Sequence, residues 1–500
     1  MRTKILLVVL VVFVGAGCKK ILNQQIDGSY TPSNFFTSDA NASLALANAY
    51  KFLSFSSGAN NAIWVLGDVG SDDAVKGGNP GDQADFDAIH AFNILPTNSA
   101  VEAVWQNYYN GVFACNSVLD GLATGGHGVS DAARTEDIAE AQFLRAYYYF
   151  VLTTCYGAIP IHLTVETGAA AEKPVSPQDS VFAQIERDCA AAAAVLPASV
   201  TPDQLGRATK GAAVALLAKT YLFHTDLSGH WQLAAQTAEQ VEGMGYQLTS
   251  LYYDNFRAAT KANTEEIFTV NHVAGTLGIG NELNAWFSPR VLNGYGFFWP
   301  TQSLVSNFEV ASGGQVDPRL NYCVAQSGYP YFDTPFDSTW TSTGYLPRKM
   351  VQPLSEVPST TKNVGTVNYE ALRLSDILLI DAEALNENGQ SAQALAPLNM
   401  VRKRARESYL YDTSLAGYGT VPAGLLPDIA TTDQGQLRDI IRRERRSELA
   451  LEFHRFFDVI RYGSAYATAA LSPGTNFNYT TNRFYPIPQS ERDANPNLFK

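Results

Sequence analysis

Several common marks of an enzyme are missing from this 500-residue chain. It has no HExxH helix, no GxSxG turn, no GxxxxGK[ST] loop and no GxGxxG fingerprint. Zinc-peptidase, serine-hydrolase, P-loop and dinucleotide chemistry therefore have no foothold in the sequence. Positive charge is scarce: 35 Lys and Arg stand against 48 Asp and Glu, for a formal charge of −13 and a pI near 5.0. An acidic chain of this kind cannot neutralise a phosphate backbone broadly, which excludes a general nucleic-acid role. Histidine is sparse, with seven residues at 90, 127, 162, 224, 230, 272 and 454. Only His224 and His230 lie close together, and they read as a helix end and a loop, so no metal is expected. Cysteine is sparse too. Beyond Cys18 the thiols are Cys115, Cys155, Cys189 and Cys323, far apart and without a CxxC pair. Apolar and Ala-rich surroundings such as "ERDCAAAA" mark them as buried and inert. Long apolar runs are confined to Ile5–Val14, shorter than the about 20 residues a membrane span needs.

That one run has the form of a targeting segment. Arg2 and Lys4 precede it, and Gly15, Ala16, Gly17 and Cys18 follow. The pattern is that of a signal peptide over 1–17. Its small-small-Cys ending resembles a bacterial lipobox, with Gly15 where Leu is usual, and the resemblance implies acylation of Cys18. Residues 18–38 are polar and aperiodic, a tether and entry segment. The remaining composition, 46% hydrophobic and 17% charged, is that of a globular body with a large core.

From 39 to 500 the chain reads as one body with two textures. Apolar residues recur at three- to four-residue spacing over 40–66, 101–243, 369–406 and 435–462, the period of an amphipathic helix. Ile138, Ala141, Leu144, Tyr148 and Val151 form one such face, and Gly157 stops it. The lengths and short connections suggest helical hairpins in tetratricopeptide style. Over 67–100 and 245–368 the period fades and Gly, Pro, Asn and Ser become frequent, so these stretches read as loops. Residues 67–87, "GDVGSDDAVKGGNPGDQADFD", are rich in Gly and Asp. Between Trp286 and Tyr345 stand 14 aromatics in 60 residues, against 11% over the chain.

Four stretches taken in order resemble the SusD/RagB family: "AEAQFLRAYYYFVLTTCYGAIP" (140–160), "YEALRLSDILLIDAEALNENG" (369–389), "ERRSELALEFHRFFDVIRYG" (444–463) and "RFYPIPQSERDANPNL" (483–498). "PTQSLVSNFEVASGGQVDPRL" (300–320) is similar to the family's segment ahead of an Asp-x-Arg. The resemblance implies a mostly α, tetratricopeptide-like scaffold bearing a loop-rich, mixed ligand-binding half. It implies a lipoprotein on the outer-membrane surface, anchored through acylated Cys18. The expected partner is a SusC-like TonB-dependent transporter, to which the protein delivers an oligosaccharide. Peptides or glycopeptides are the alternative cargo, and a secreted glycoside hydrolase is the alternative class.

Sugar recognition needs flat apolar faces beside planar polar groups. Among the aromatics of 286–345, the ligand candidates are Trp286, Tyr295, Phe298, Trp299, Tyr329, Tyr331 and Trp340; burial in a core is the competing reading. Asp72 and Asp73 are candidates for the polar half, within an acidic loop that also holds Asn79, Asp82 and Asp85. The same loop has the oxygen-rich character of a calcium site, read as structural, and is otherwise a solvated acidic loop. No catalytic pair emerges. Asp381 and Glu383 are two apart on a helix and diverge. In 444–463, Glu444, Glu448, Glu452 and Arg455 fall on one flank of a predicted continuous helix, with an expected Arg455–Glu452 bridge, while His454 and Arg461 fall on the other. Such charges read as scaffold ion pairs and not as an acid/base site.

Overall fold

The computed structural model describes residues 35–56, 61–124, 127–225, 229–274 and 279–500. The signal peptide, Cys18 and most of the expected tether lie outside the described residues.

The principal helices are α1 (Asp39–Tyr50), α2 (Ala84–His90), α3 (Ser99–Thr124), α4 (Asp131–Tyr156), α5 (Gln178–Val195), α6 (Lys210–Phe223), α7 (His230–Glu242), α8 (Leu283–Phe287), α9 (Arg319–Cys323), α10 (Leu374–Glu387), α11 (Ser391–Tyr411), α12 (Gln434–Glu448) and α13 (Arg455–Arg461). The strands are β1 (Ala74–Gly77), β2 (Glu266–Val270), β3 (Phe297–Pro300), β4 (Val324–Ala325), β5 (Leu346–Pro347) and β6 (Tyr369–Arg373). They form three two-stranded antiparallel ladders, β1–β3, β2–β6 and β4–β5.

The helices pack on their sequence neighbours from α3 to α7, and α10 then packs on α7, α11 and α12. This is the stacking of helical hairpins, in which each unit buries its apolar face on the next. The helix α4 shows how local sequence produces it. Ser130 caps the start by accepting from the Ala133 amide, and Gly157, at φ 73°, ends it. In between, "FLRAYYYFVLTTCY" is buried along its whole length, because α3, α5 and the β2–β6 ladder cover it on several sides. The backbone of α3 approaches closely at Gly111, where a Cβ would stand 2.6 Å from the Tyr148 ring. The four cysteines in the body are buried and free, and burial pushes the Cys155 and Cys189 thiols well above their ordinary range.

One element departs from the sequence expectation. The helix expected over 435–462 is two helices, α12 and α13, separated by a turn in which Leu451 and Phe453 adopt φ values of 60° and 70°. The turn is held from outside. Asp68 accepts from the amides of Phe453 (2.9 Å) and Arg455 (3.2 Å), and Gly67 leaves room for the Phe453 carbonyl, which a Cβ would meet at 2.2 Å. The Phe453 ring stacks on Tyr369, with centroids 5.5 Å apart. Residues 67–87 are likewise more ordered than a loop. They hold β1 and the start of α2 behind a π-helical turn at Val65–Val69.

Candidate functional site

The β1–β3 ladder brings the acidic segment and the aromatic segment together, pairing Val75 with Trp299 and Gly77 with Phe297. On one side of it lies a cleft of about 420 Å³, lined by Trp64, Phe86, Trp286, Gln83, Ser99 and Glu282 among others. Its apolar wall is graded. Trp64 and Phe86 are buried and meet edge to face at 5.4 Å. Trp286 is half-buried and touches both. Tyr295 meets Trp286 edge-on at 5.5 Å and is 41% exposed. Trp286 and Tyr295 thus form a step of aromatic surface from core to solvent. The Lys362 ammonium sits 4.4 Å from the Tyr295 ring centroid as a cation–π pair.

The polar rim comes from residues outside the sequence candidates. Gln83 is exposed, lies at φ 48° and starts α2. A non-glycine residue in that region is uncommon and points to a constraint beyond helix capping. Glu282 precedes α8, and burial lifts its carboxyl above the ordinary value. Beside them Asp82 and Arg290 form a short ion pair joining the two segments. The only sequence signal for Gln83 is its position after the "NPGD" turn; for Glu282 there is none beyond its nearness to Trp286.

Three candidates prove to be interior, and a fourth, Asp72, is half-buried and already paired. Phe298 is 1% exposed, stacked on Phe287 and packed on Trp64 and Phe453. Tyr331 is 2% exposed. A side chain without free surface cannot stack on a ligand, so both are reassigned to the core. Asp72 and Asp73 are consumed by guanidiniums: Arg455 bonds Asp72 at 2.7 Å and Arg446 bonds Asp73 at 2.7 Å. This corrects the expected Arg455–Glu452 bridge as well, because the break at 449–454 turns Arg455 toward residue 72. The calcium reading of this loop weakens for the same reason. Asp82 pairs with Arg290, Asp85 accepts from the Ser99 amide at 2.9 Å, and Asp87 pairs with Lys76 at 2.7 Å. Trp299 is half-buried on β3, with Nε1 turned inward and without an acceptor. Trp340 packs edge-on against Phe336 and Tyr331, and with exposed Tyr329 belongs to a separate stretch. Among the described residues no ring contact joins that cluster to Trp286.

The charged residues of 444–452 form a buried network. Glu448 accepts from Arg319 (2.9 Å), Arg373 (2.6 Å) and Arg404. Glu444 pairs with Arg319 (2.7 Å) and Arg402 (2.6 Å), and Glu452 with Arg373 and Lys349, both at 2.7 Å. Burial alone would raise the Glu448 carboxyl, but the guanidiniums of Arg404, Arg373 and Arg319 outweigh it and hold it well below the carboxylate range. Glu265, set between Arg404 and Arg373, is held at about 2. Carboxyls so depressed cannot serve as general acids near neutrality. The sequence reading of this stretch as scaffold matches what the network does.

Comparison with known proteins gives these elements a family. A model described as "SusD family" matches residues 264–500, and one described as "Starch-binding associating with outer membrane" matches 19–222. The chain belongs to the SusD/RagB family. A SusD-like protein of Bacteroides ovatus is 26% identical over 498 residues, covering 92% of this chain and 83% of that protein. SusD-like protein P2 of Formosa agariphila is 26% identical, covering 99% and 98%. Among solved structures, a laminarin-binding SusD-like protein is 26% identical with a TM-score of 0.72, covering 92% and 98%. A SusD-like carbohydrate-binding protein of Bacteroides fragilis, 24% identical, superposes with a TM-score of 0.78 over 93% of this chain and 99% of that one, which supports the fold. The mostly α SusD-like architecture expected from the sequence is thus the observed one. Among the described residues no helix is long and apolar enough to cross a membrane.

Proposed function

We propose that this SusD-family chain is a non-catalytic, lipid-anchored protein of the outer-membrane surface that captures an oligosaccharide and passes it to a SusC-like TonB-dependent transporter. The observation that carries the reading is the Trp286–Tyr295 step beside the 420 Å³ cleft, with Gln83 and Glu282 at its rim. A pyranose C–H face would lie on the step while its hydroxyls bond the amide and the carboxyl. The names of relatives, a laminarin-binding protein among them, are in keeping with a glycan ligand. Two neighbouring aromatics and a few polar groups supply modest affinity, which suits a protein that must release its cargo.

The test uses residues 19–500 and a panel of soluble glycans, laminarin and starch fragments included, with peptides as a second arm. Calorimetry would measure binding and chromatography would measure products. Saturable glycan binding without products is expected. Trp286→Ala should weaken it about tenfold, corresponding to about 1.4 kcal/mol. Glycan turnover, or unchanged affinity in both Trp286→Ala and Tyr295→Ala, would overturn the assignment. Anchoring is tested by labelled palmitate in cells, whose incorporation should vanish in Cys18→Ala.

A further inference from the structure

Further along α3 lies a second and larger cavity, a groove of about 570 Å³. Trp105, Tyr109 and Phe113 recur every four residues of α3 along it, with Gln106 and Asn110 beside them. Phe113 is 52% exposed, and Gln106 and Asn110 are exposed too. Tyr109 is half-buried and meets the buried Trp105 ring at 4.6 Å. Another wall comes from the stretch 160–166, and it is fixed to the helices. Tyr109 donates to the Pro160 carbonyl at 2.8 Å. Asn116, buried and held by Arg145 at 2.9 Å, donates to the carbonyls of His162 (2.9 Å) and Thr164 (3.3 Å). A groove braced in this way is formed in advance, so little ordering opposes binding. Gln106 stands three residues beyond Ala103, which lines the Trp286 cleft. Residues so spaced are neighbours on a helix surface, with Cβ atoms about 5–6 Å apart. The two cavities therefore adjoin across one turn of α3.

We propose that this groove is a second saccharide-binding site and that one glycan chain occupies it together with the Trp286 cleft, an inference that rests on the cleft being a glycan site. The lining selects the ligand class. Aromatic rings beside neutral side-chain amides suit an uncharged sugar. Among the described residues no lysine or arginine lines the groove, so nothing there would balance an anionic ligand. Glu166 is already paired with Lys173 (2.5 Å) and His162 (2.8 Å), and Glu491 accepts from Asn495 at 3.1 Å. An extended peptide pairs with a strand edge, and among the described residues no strand borders the groove. Occupied together, the two sites select for chain length. A short fragment fills one of them, and a longer one gains from both.

The experiment measures binding of laminarin and starch oligosaccharides of increasing length to the mature chain by calorimetry. Affinity should step up once a fragment is long enough to leave the cleft and enter the groove. The double variant Asn110→Ala/Phe113→Ala should remove that step, weakening the longest fragments at least about tenfold. Trp286→Ala should weaken fragments of every length. Tyr418→Ala, at another exposed ring (51%), should change nothing. Both groove positions are on the surface, so the thermal midpoint of the double variant should match wild type; Asn110→Ala alone decides the matter if the Phe113 change disturbs folding. Long fragments that bind the variants as tightly as wild type would overturn the second site and leave the Trp286 cleft standing. Peptide binding that the double variant loses, with glycan binding intact, would overturn it equally. A wild-type chain that binds no fragment would overturn the cleft reading along with it.

Discussion

Phe298 and Trp286 lie twelve positions apart in one aromatic-rich stretch, yet they do different work. Phe298 is enclosed by three aromatic rings. Its replacement by Ala should cost about 3–5 kcal/mol in urea unfolding. Trp286→Ala, on a half-buried ring, should cost less stability and more affinity. Composition alone could not divide the pair, because burial depends on partners such as Trp64 and Phe453 that are distant in sequence. Single carboxyls also set a pH window. Glu265 and Asp458 are held at about 2 by their guanidinium partners against the opposing effect of burial. Their stabilisation is present above the unfolded values near 4 and is lost as pH falls through 2. Asp381 behaves oppositely. Burial, then Glu242 and Glu239, lift it to about 8, so its contribution is full below about 4 and disappears as pH rises through 8. Unfolding midpoints measured from pH 2 to 9 should fall at both ends, and Asp381→Asn should flatten the alkaline fall.

At the scale of the element, helices were legible where a stripe faced a neighbour, as in α4 with its Gly157 stop. The break between α12 and α13 was not. Leu451 and Phe453 take left-handed backbone without a glycine or proline to announce it. That strain is offset by groups far upstream in the chain, namely the Asp68 carboxyl, 385 residues before Phe453, and the space above Gly67. Gly67→Ala should therefore damage the turn. We expect a loss of about 1–3 kcal/mol by chemical denaturation, the range for inserting a methyl into a packed site. His224 and His230 illustrate the same limit. Six residues apart across a chain reversal, they carry no periodic signal, and only the packing of α7 on α6 brings their rings together.

Across the whole molecule, residues from well-separated parts of the chain meet in one buried charge network: Glu265 before β2, Arg319 on α9, Arg373 on β6, Arg404 on α11 and Glu448 on α12. The family motifs legible in the sequence, Asp-x-Arg at 317–319 and "ERRSELALEF" among them, are largely the parts of this junction. Scaffold was therefore easier to read than the proposed ligand cleft, which is lined by a few side chains around Trp286. Glu448→Gln should destabilise strongly, by about 3–5 kcal/mol, because three guanidiniums lose a shared counter-charge. Added salt should not mimic that loss, since buried pairs are weakly screened. The arrangement also acts as a check on complete synthesis. A chain ending before Glu444 would have to bury Arg319, Arg373 and Arg404 without their common acceptor, so it cannot settle into a near-native form. Only a polypeptide carried through to its last helices can close its own interior, and a truncated product should be an unfolded chain, readily proteolysed.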